Sequence, residues 1–148
     1  MADILHRLTI DASREQVHEM LATKPGIKRW WTGHPLEGDE GVGGELAMYF
    51  GGADPAAVMQ VVEATPDQIV WLCVQGPDDW KQTRITYRLD PAADGATTLL
   101  FSHAGWREQT EFMSMCSTHW ASYLIGLKAG LEGRDYTPYP QGEVNRWG

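Results

Sequence analysis

The chain has 148 residues, with 12 Lys and Arg against 20 Asp and Glu, a formal charge of −8, and 43% hydrophobic residues. That length fits one domain with a sizeable core, and the composition is that of a globular chain rather than a disordered one. The acidic balance without a basic patch argues against nucleic acid and anionic membrane surfaces as partners, and no apolar run approaches the ~20 residues that span a bilayer.

The N-terminus, MADILHRLTIDAS, has charges among its first seven residues and no apolar signal-peptide core. A cytoplasmic location is the expectation. Residues 4–10 read as a first strand. Ser13 and Gln16 have the spacing of a capping box, and Val17, Met20 and Leu21 follow at helical intervals. Pro25 and Gly26 break that helix, and a second short helix carries Ile27, Trp30 and Trp31. Adjacent indoles on one element cannot point the same way. One is expected to plug the roof of the fold against a long helix, the other to sit at a pocket mouth or on the outer loop. Residues 33–44 are glycine-rich and loop-like, with a short edge strand near 34–37. GDEGVGG lacks the lysine and the strand-to-helix setting of a phosphate loop.

Strand signals then follow in a row: 45–50, 57–64, 68–74, 82–90 and 96–106. Segment 68–74 is apolar on both faces, as a covered central strand is. In 82–90, Ile85, Tyr87 and Leu89 alternate with Arg84 and Arg88, which read as solvated. Asp78-Asp79-Trp80 reads as a surface turn, and Glu108 to Glu111 as the acidic opening of a helix. Short connections imply an antiparallel meander. Residues 108–132 then carry an apolar stripe through Phe112, Cys116, His119, Tyr123 and Leu127. This predicts one long helix, about 37 Å at ~1.5 Å per residue. After Gly133, Pro138 and Pro140 make the tail irregular, and Tyr136, Tyr139 and Trp147 suggest that it docks.

That order predicts an α+β helix-grip fold. A curved antiparallel sheet of six or seven strands wraps a long C-terminal helix, with two short helices after the first strand. The expected organisation is a domain over 1–133 and an irregular tail over 134–148.

WLCVQGPDDWKQTRITYRL, LLFSHAGW, CSTHWASYLIGLKAGLE and RWWTG together resemble the START-like (SRPBCC, helix-grip) superfamily. Within it they resemble the bacterial group of homologues of the activator of the heat-shock protein ATPase. The resemblance covers roughly 3–133 and implies the same fold and a capacity to hold small hydrophobic ligands. A stress- or chaperone-related role comes with the group's name. The other activities it implies are a polyketide cyclase or dehydratase using the same cavity, and a homodimeric or chaperone-interaction module.

No catalytic motif is present, so a binding module is favoured over an enzyme, with no cofactor and no metal. Cys116 and His119, at i and i+3, would need His103 to make a three-ligand zinc site, and no carboxylate joins them. Cys116 reads instead as a small buried apolar residue. His103 shares a strand face with Leu99 and Phe101. It is the weak catalytic candidate, as a general base with Tyr87 as polar partner. The plainer reading is a core histidine bonded to a carbonyl or a tryptophan N–H. The candidate ligand-binding residues are Trp30, Trp31, Met48, Phe50, Trp71, Cys73, Ile85, Tyr87, Phe101, His103, Phe112, Cys116 and Trp120. The expected partners are a small apolar, aromatic or acyl ligand and a second copy of the chain.

Overall fold

A computed structural model describes residues 1–143 and 145–147. Strand β1 (Ala2–Ile10) is followed by helices α1 (Arg14–Ala22) and α2 (Lys24–Trp30). Strands β2 (Leu36–Gly38), β3 (Glu45–Met48), β4 (Ala57–Thr65), β5 (Gln68–Gln75), β6 (Arg84–Pro91) and β7 (Thr97–Trp106) come next, and helix α3 (Glu111–Leu131) closes the order. The seven strands form one sheet, β1-β7-β6-β5-β4-β3-β2, and every neighbouring pair is antiparallel. This is the α+β helix-grip arrangement. Among the described residues, no helix is long and apolar enough to cross a membrane.

The local chemistry explains the elements. Ser13 and Gln16 satisfy each other's backbone N–H groups and start α1. Thr23 caps α2 by accepting from the Gly26 N–H, with Pro25 in the first turn. Register sets the faces: Ile4 pairs with His103, Ile85 with His103, Trp71 with Ile85 and Met59 with Cys73. One face therefore carries Ile4, Leu99, Phe101, His103, Ile85, Tyr87, Trp71, Cys73, Met59 and Leu46, all buried. The other carries exposed Arg84 and Arg88. Register shifts at Val58/Met59 and Val61/Glu63 mark bulges that bend and twist the β4–β5 pair. β5 lies in the middle of the sheet, and its outward Val70 is nearly covered, which accounts for its two apolar faces.

Helix α3 lies on that concave face. The Trp120 ring sits 4.7 Å from Phe101 between centroids. Lys128 Nζ donates to the Thr9 carbonyl at 2.5 Å, and the Asp11 N–H donates to Glu132 Oε2 at 2.8 Å, tying the end of the helix to the end of β1. The helix starts at Glu111 rather than 108 because Thr110 is its cap, accepting from the Met113 N–H at 3.1 Å. Just before it, the Arg107 guanidinium donates to the Asp78 and Lys81 carbonyls, which holds that stretch to the 78–81 turn. Strand β3 ends at Met48, two residues earlier than expected, although the Tyr49 N–H still donates to the Pro35 carbonyl opposite it.

The expected irregular tail, 134–148, includes Val144 and Gly148, which lie outside the described residues. The described part packs back on the domain. Tyr139 bridges to Thr32, the Gly33 N–H donates to the Tyr139 carbonyl at 2.8 Å, and the Tyr136 hydroxyl donates to the Trp30 carbonyl at 2.8 Å. The Tyr136 ring lies against Gly126 of α3, where a Cβ would fall 1.7 Å from its Cε1. Gly126 is thus the seat of the tail, and any larger residue there collides with it.

Candidate binding site

Most of the grip's interior is filled by its own rings. Trp30, Trp71, Tyr87, Phe101 and Trp106 are buried with 2% exposure or less. Trp30 ends α2, its Nε1–H donates to the Met20 carbonyl at 2.8 Å, and its ring meets Tyr87 edge-on. Trp31, the C-cap residue, stacks on Trp30 at 6.0 Å and 16° and on Trp71 at 6.1 Å and 11°. It also meets Trp120 at 5.0 Å. Both indoles of the pair are therefore buried. They stack on each other instead of pointing apart, because Trp31 lies at the helix end; Trp30 stays in the core while Trp31 also meets Phe50 and reaches the cleft.

Among the described residues, packing leaves an apolar cleft of about 330 Å³ at the N-terminal half of α3. Its walls are Phe112, Cys116, His119, Trp120 and Tyr123 from α3, and Trp31 from the end of α2. Phe50, Ala56 and Ala57 come from the β3–β4 connection, Pro77 and Trp80 from the β5–β6 connection, and Tyr139 and Trp147 from the tail. Nine of these thirteen residues present an aromatic ring, and none carries a formal charge at neutral pH. An ionised ligand group would find no countercharge in these walls, so the cleft favours uncharged molecules.

Of the thirteen sequence candidates, Trp31, Phe50, Phe112, Cys116 and Trp120 line the cleft. Trp30, Met48, Trp71, Cys73, Ile85, Tyr87, Phe101 and His103 do not line it; seven of them are core side chains packed in the filled part of the grip. The eighth, His103, is fully buried with both nitrogens engaged. Nδ1 accepts the Trp120 Nε1–H at 3.1 Å. Nε2 is 2.8 Å from Thr83 Oγ1, whose hydroxyl donates to the Trp80 carbonyl at 2.5 Å. That chain requires His103 to be neutral with its proton on Nε2. Burial lowers its pKa to about 3. The ring is a strut between β7 and α3, and the geometry gives it no free nitrogen to act as a base. Tyr87, two residues along the ladder from the Ile85 opposite His103, is not its polar partner. Its buried hydroxyl makes no hydrogen bond among the described residues, and burial pushes its pKa well up.

Sequence reasoning missed Trp80, His119, Trp147 and the small residues Ala56 and Ala57 as walls. Trp80 is not a surface residue. The 3₁₀ turn Asp78–Trp80 exposes its acids and tucks the indole in, where it stacks on Trp120 at 6.4 Å and 18°. Its Nε1–H faces the Cys116 sulfur and has no oxygen or nitrogen partner among the described residues. Burial pushes the Cys116 thiol up to about 11, the opposite of an activated nucleophile. His119 is covered by Trp147, with ring centroids 3.7 Å apart and planes at 13°. Its pKa is lowered, chiefly by burial, against Glu143 and the Arg146 backbone. Among the described residues, no group of three or more His, Cys, Asp or Glu side chains could hold a metal ion. Cys116, His119 and His103 in particular do not converge, since His103 is committed to Thr83 and Trp120.

Comparison with known proteins fits this geometry. Residues 11–132 match the family described as activator of Hsp90 ATPase homolog 1-like protein. The Aha1 dimer from Colwellia psychrerythraea, solved in solution, is 33% identical with a TM-score of 0.79, over 89% of this chain and 97% of that one. CalU16 from Micromonospora echinospora superposes at TM-score 0.70 with 22% identity, over 94% of this chain and 78% of that one. An HSP90 activator from Plasmodium falciparum superposes at 0.72 with 17% identity, over 89% and 97%. These last two speak for the fold alone. No curated protein matches the chain. The family match ends at 132, so the tail that supplies Tyr139 and Trp147 lies beyond it.

Proposed function

The chain belongs to the activator of Hsp90 ATPase homolog 1-like family, and we propose that it is a binding module for a small, uncharged, largely aromatic ligand held in the cleft beside α3. The observation that carries this reading is the wall chemistry: about 330 Å³ bounded by thirteen residues with nine aromatic rings and no formal charge. An engineered apolar cavity of ~150 Å³ already holds benzene. This cleft has room for two or three fused rings. Offset and edge-to-face contacts from Trp31, Trp80 and Trp120 would hold such rings, while the buried Trp80 N–H offers one donor to a ligand carbonyl or ether oxygen.

The neutral fluorescent amine N-phenyl-1-naphthylamine is a suitable probe. At ~0.3–0.4 kcal/mol per heavy atom its affinity falls in the range of tens to hundreds of micromolar. Saturable fluorescence with a matching rise in melting temperature supports the reading. Ala56→Phe places a ring at the exposed rim of the cleft and should abolish both signals. Binding that persists in this variant places the probe elsewhere and refutes the reading.

We also infer that the chain self-associates. The 33% identical relative was solved as a dimer. Here β1 is a nine-residue edge strand whose outward Leu5 is 70% exposed, a feature that favours strand-to-strand or face-to-face pairing. Sedimentation equilibrium tests this, and a monomer at the highest soluble concentration refutes it.

A further inference from the structure

The walls of the cleft differ in how they are held. Helix α3 and the strands are fixed by ladders of backbone hydrogen bonds. Among its described residues the tail has a single bridge, Tyr139 to Thr32, in place of a ladder, and its attachments fall into two groups. The first is an anchor. The Gly33 N–H donates to the Tyr139 carbonyl at 2.8 Å, the Tyr139 N–H to the Trp31 carbonyl at 3.2 Å, and the Tyr136 hydroxyl to the Trp30 carbonyl at 2.8 Å. A local turn follows, with the Gly142 N–H on the Pro138 carbonyl at 3.0 Å and the Glu143 N–H on the Pro140 carbonyl at 3.3 Å. The second group lies past that turn and bears on a single helical turn of α3. Asn145 Nδ2 is 3.5 Å from His119 Nε2, at the limit of a hydrogen bond, and the Trp147 indole lies flat on the His119 ring with Tyr123 beside it. Trp147 itself is 42% exposed. Among the described residues, the backbone attachments to the domain end at Tyr139, and beyond them the cleft is closed by the Trp147–His119 stack, with Asn145, the Arg146 backbone and Tyr123 as its neighbours.

We propose that the Trp147 indole is the door of the cleft: Tyr136 to Tyr139 form a fixed jamb, and Trp147 swings off His119 to admit a molecule to the space beside Cys116 and Trp120. The local-stability argument sets the direction of motion. A half-exposed ring stacked on the surface of a helix opens ahead of the sheet and helix it rests on. The proposal uses the reading of the cleft as a ligand site for its purpose, but its geometry can be tested with no ligand present.

The test uses Cys116, which lines the cleft, and Cys73, which is buried in the core and does not. The neutral disulfide 4,4′-dithiodipyridine reacts with a thiolate by exchange. The cysteine sulfur bonds to one pyridyl sulfur, the S–S bond of the reagent breaks, and the departing pyridinethiolate takes up, through solvent, the proton the cysteine lost and leaves as thiopyridone. Modification of each cysteine in the full-length protein is followed by peptide mass mapping. Trp147→Ala should speed the reaction of Cys116 at least tenfold and leave that of Cys73 within twofold. Trp147→Phe, which keeps a stacking ring, should restore most of the wild-type rate. A Cys116 rate in Trp147→Ala within twofold of wild type overturns the proposal. So does parallel acceleration of both cysteines, which would mean global rather than local opening. The ligand reading fails separately, by absence of N-phenyl-1-naphthylamine binding, and that result leaves the cysteine rates to decide the door.

Discussion

Replacing Gly126 with alanine separates two physical effects of opposite sign. A glycine in a helix interior costs ~1 kcal/mol relative to alanine, so at an unobstructed site the change stabilises. Here the new Cβ would lie 1.7 Å from Tyr136 Cε1 and 2.1 Å from its Cζ. The ring must leave its seat, giving up the hydroxyl's hydrogen bond to Trp30, worth about 1 kcal/mol net. It also gives up the burial of half an aromatic ring, roughly 1–2 kcal/mol. The losses exceed the gain by about 1–2 kcal/mol, which lowers the melting temperature by roughly 3–8 °C for a domain of this size. In a Tyr136→Ala background the obstruction is gone, and the same Gly126→Ala change should stabilise by ~1 kcal/mol. Chemical denaturation of all four proteins completes the cycle, with a coupling energy of roughly 2–3 kcal/mol. The reasoning is refuted if Gly126→Ala raises stability equally in both backgrounds.

Three further outcomes follow from the same contacts. His103→Leu removes the acceptor of the Trp120 N–H and the partner of the Thr83 hydroxyl, leaving a buried donor unpaired, and should cost ~1–3 kcal/mol by denaturant titration. The folded pKa of His103 is depressed to about 3 against 6.5 unfolded, so its contribution is complete above pH 6.5 and is lost as pH falls toward 3. In NMR its ring signals should stay neutral from pH 8 to 4.5. Glu132, which accepts from the Asp11 N–H, Lys128 and Arg134, has a pKa lowered from 4.5 to about 2. The stability it lends is present above pH 4.5 and fades as pH drops toward 2, so Glu132→Gln should flatten that limb of the acid denaturation curve.

The fold was legible where the signal is local and periodic. Ser13 and Gln16 announce the start of α1 by spacing alone, and Ile85, Tyr87 and Leu89 alternate because one face of β6 is buried and the other wet. The site was legible only along α3, where Phe112, Cys116 and Trp120 fall on one stripe that continues into the cleft wall. The other walls arise from non-local packing. Nothing periodic marks Trp80, whose two acidic neighbours suggest an exposed turn while the 3₁₀ geometry sends the indole inward. Nor does the sequence around Trp147 show that it meets a histidine 28 positions earlier. Whether inward rings fill the grip or line a hollow depends on summed volumes. Here Trp30, Trp71 and Tyr87 fill it, displacing the remaining space to one end of the helix.

The seven tryptophans offer the most direct test of the cleft as a binding site. Trp31, Trp80, Trp120 and Trp147 line it, whereas Trp30, Trp71 and Trp106 lie in the core. With ¹⁵N-labelled indoles, titration with N-phenyl-1-naphthylamine should move the Nε1–H signals of the first four in a saturable way, with one shared dissociation constant. The other three should stay in place. Shifts confined to the core set, or no saturable shift in the four wall indoles, would contradict the account.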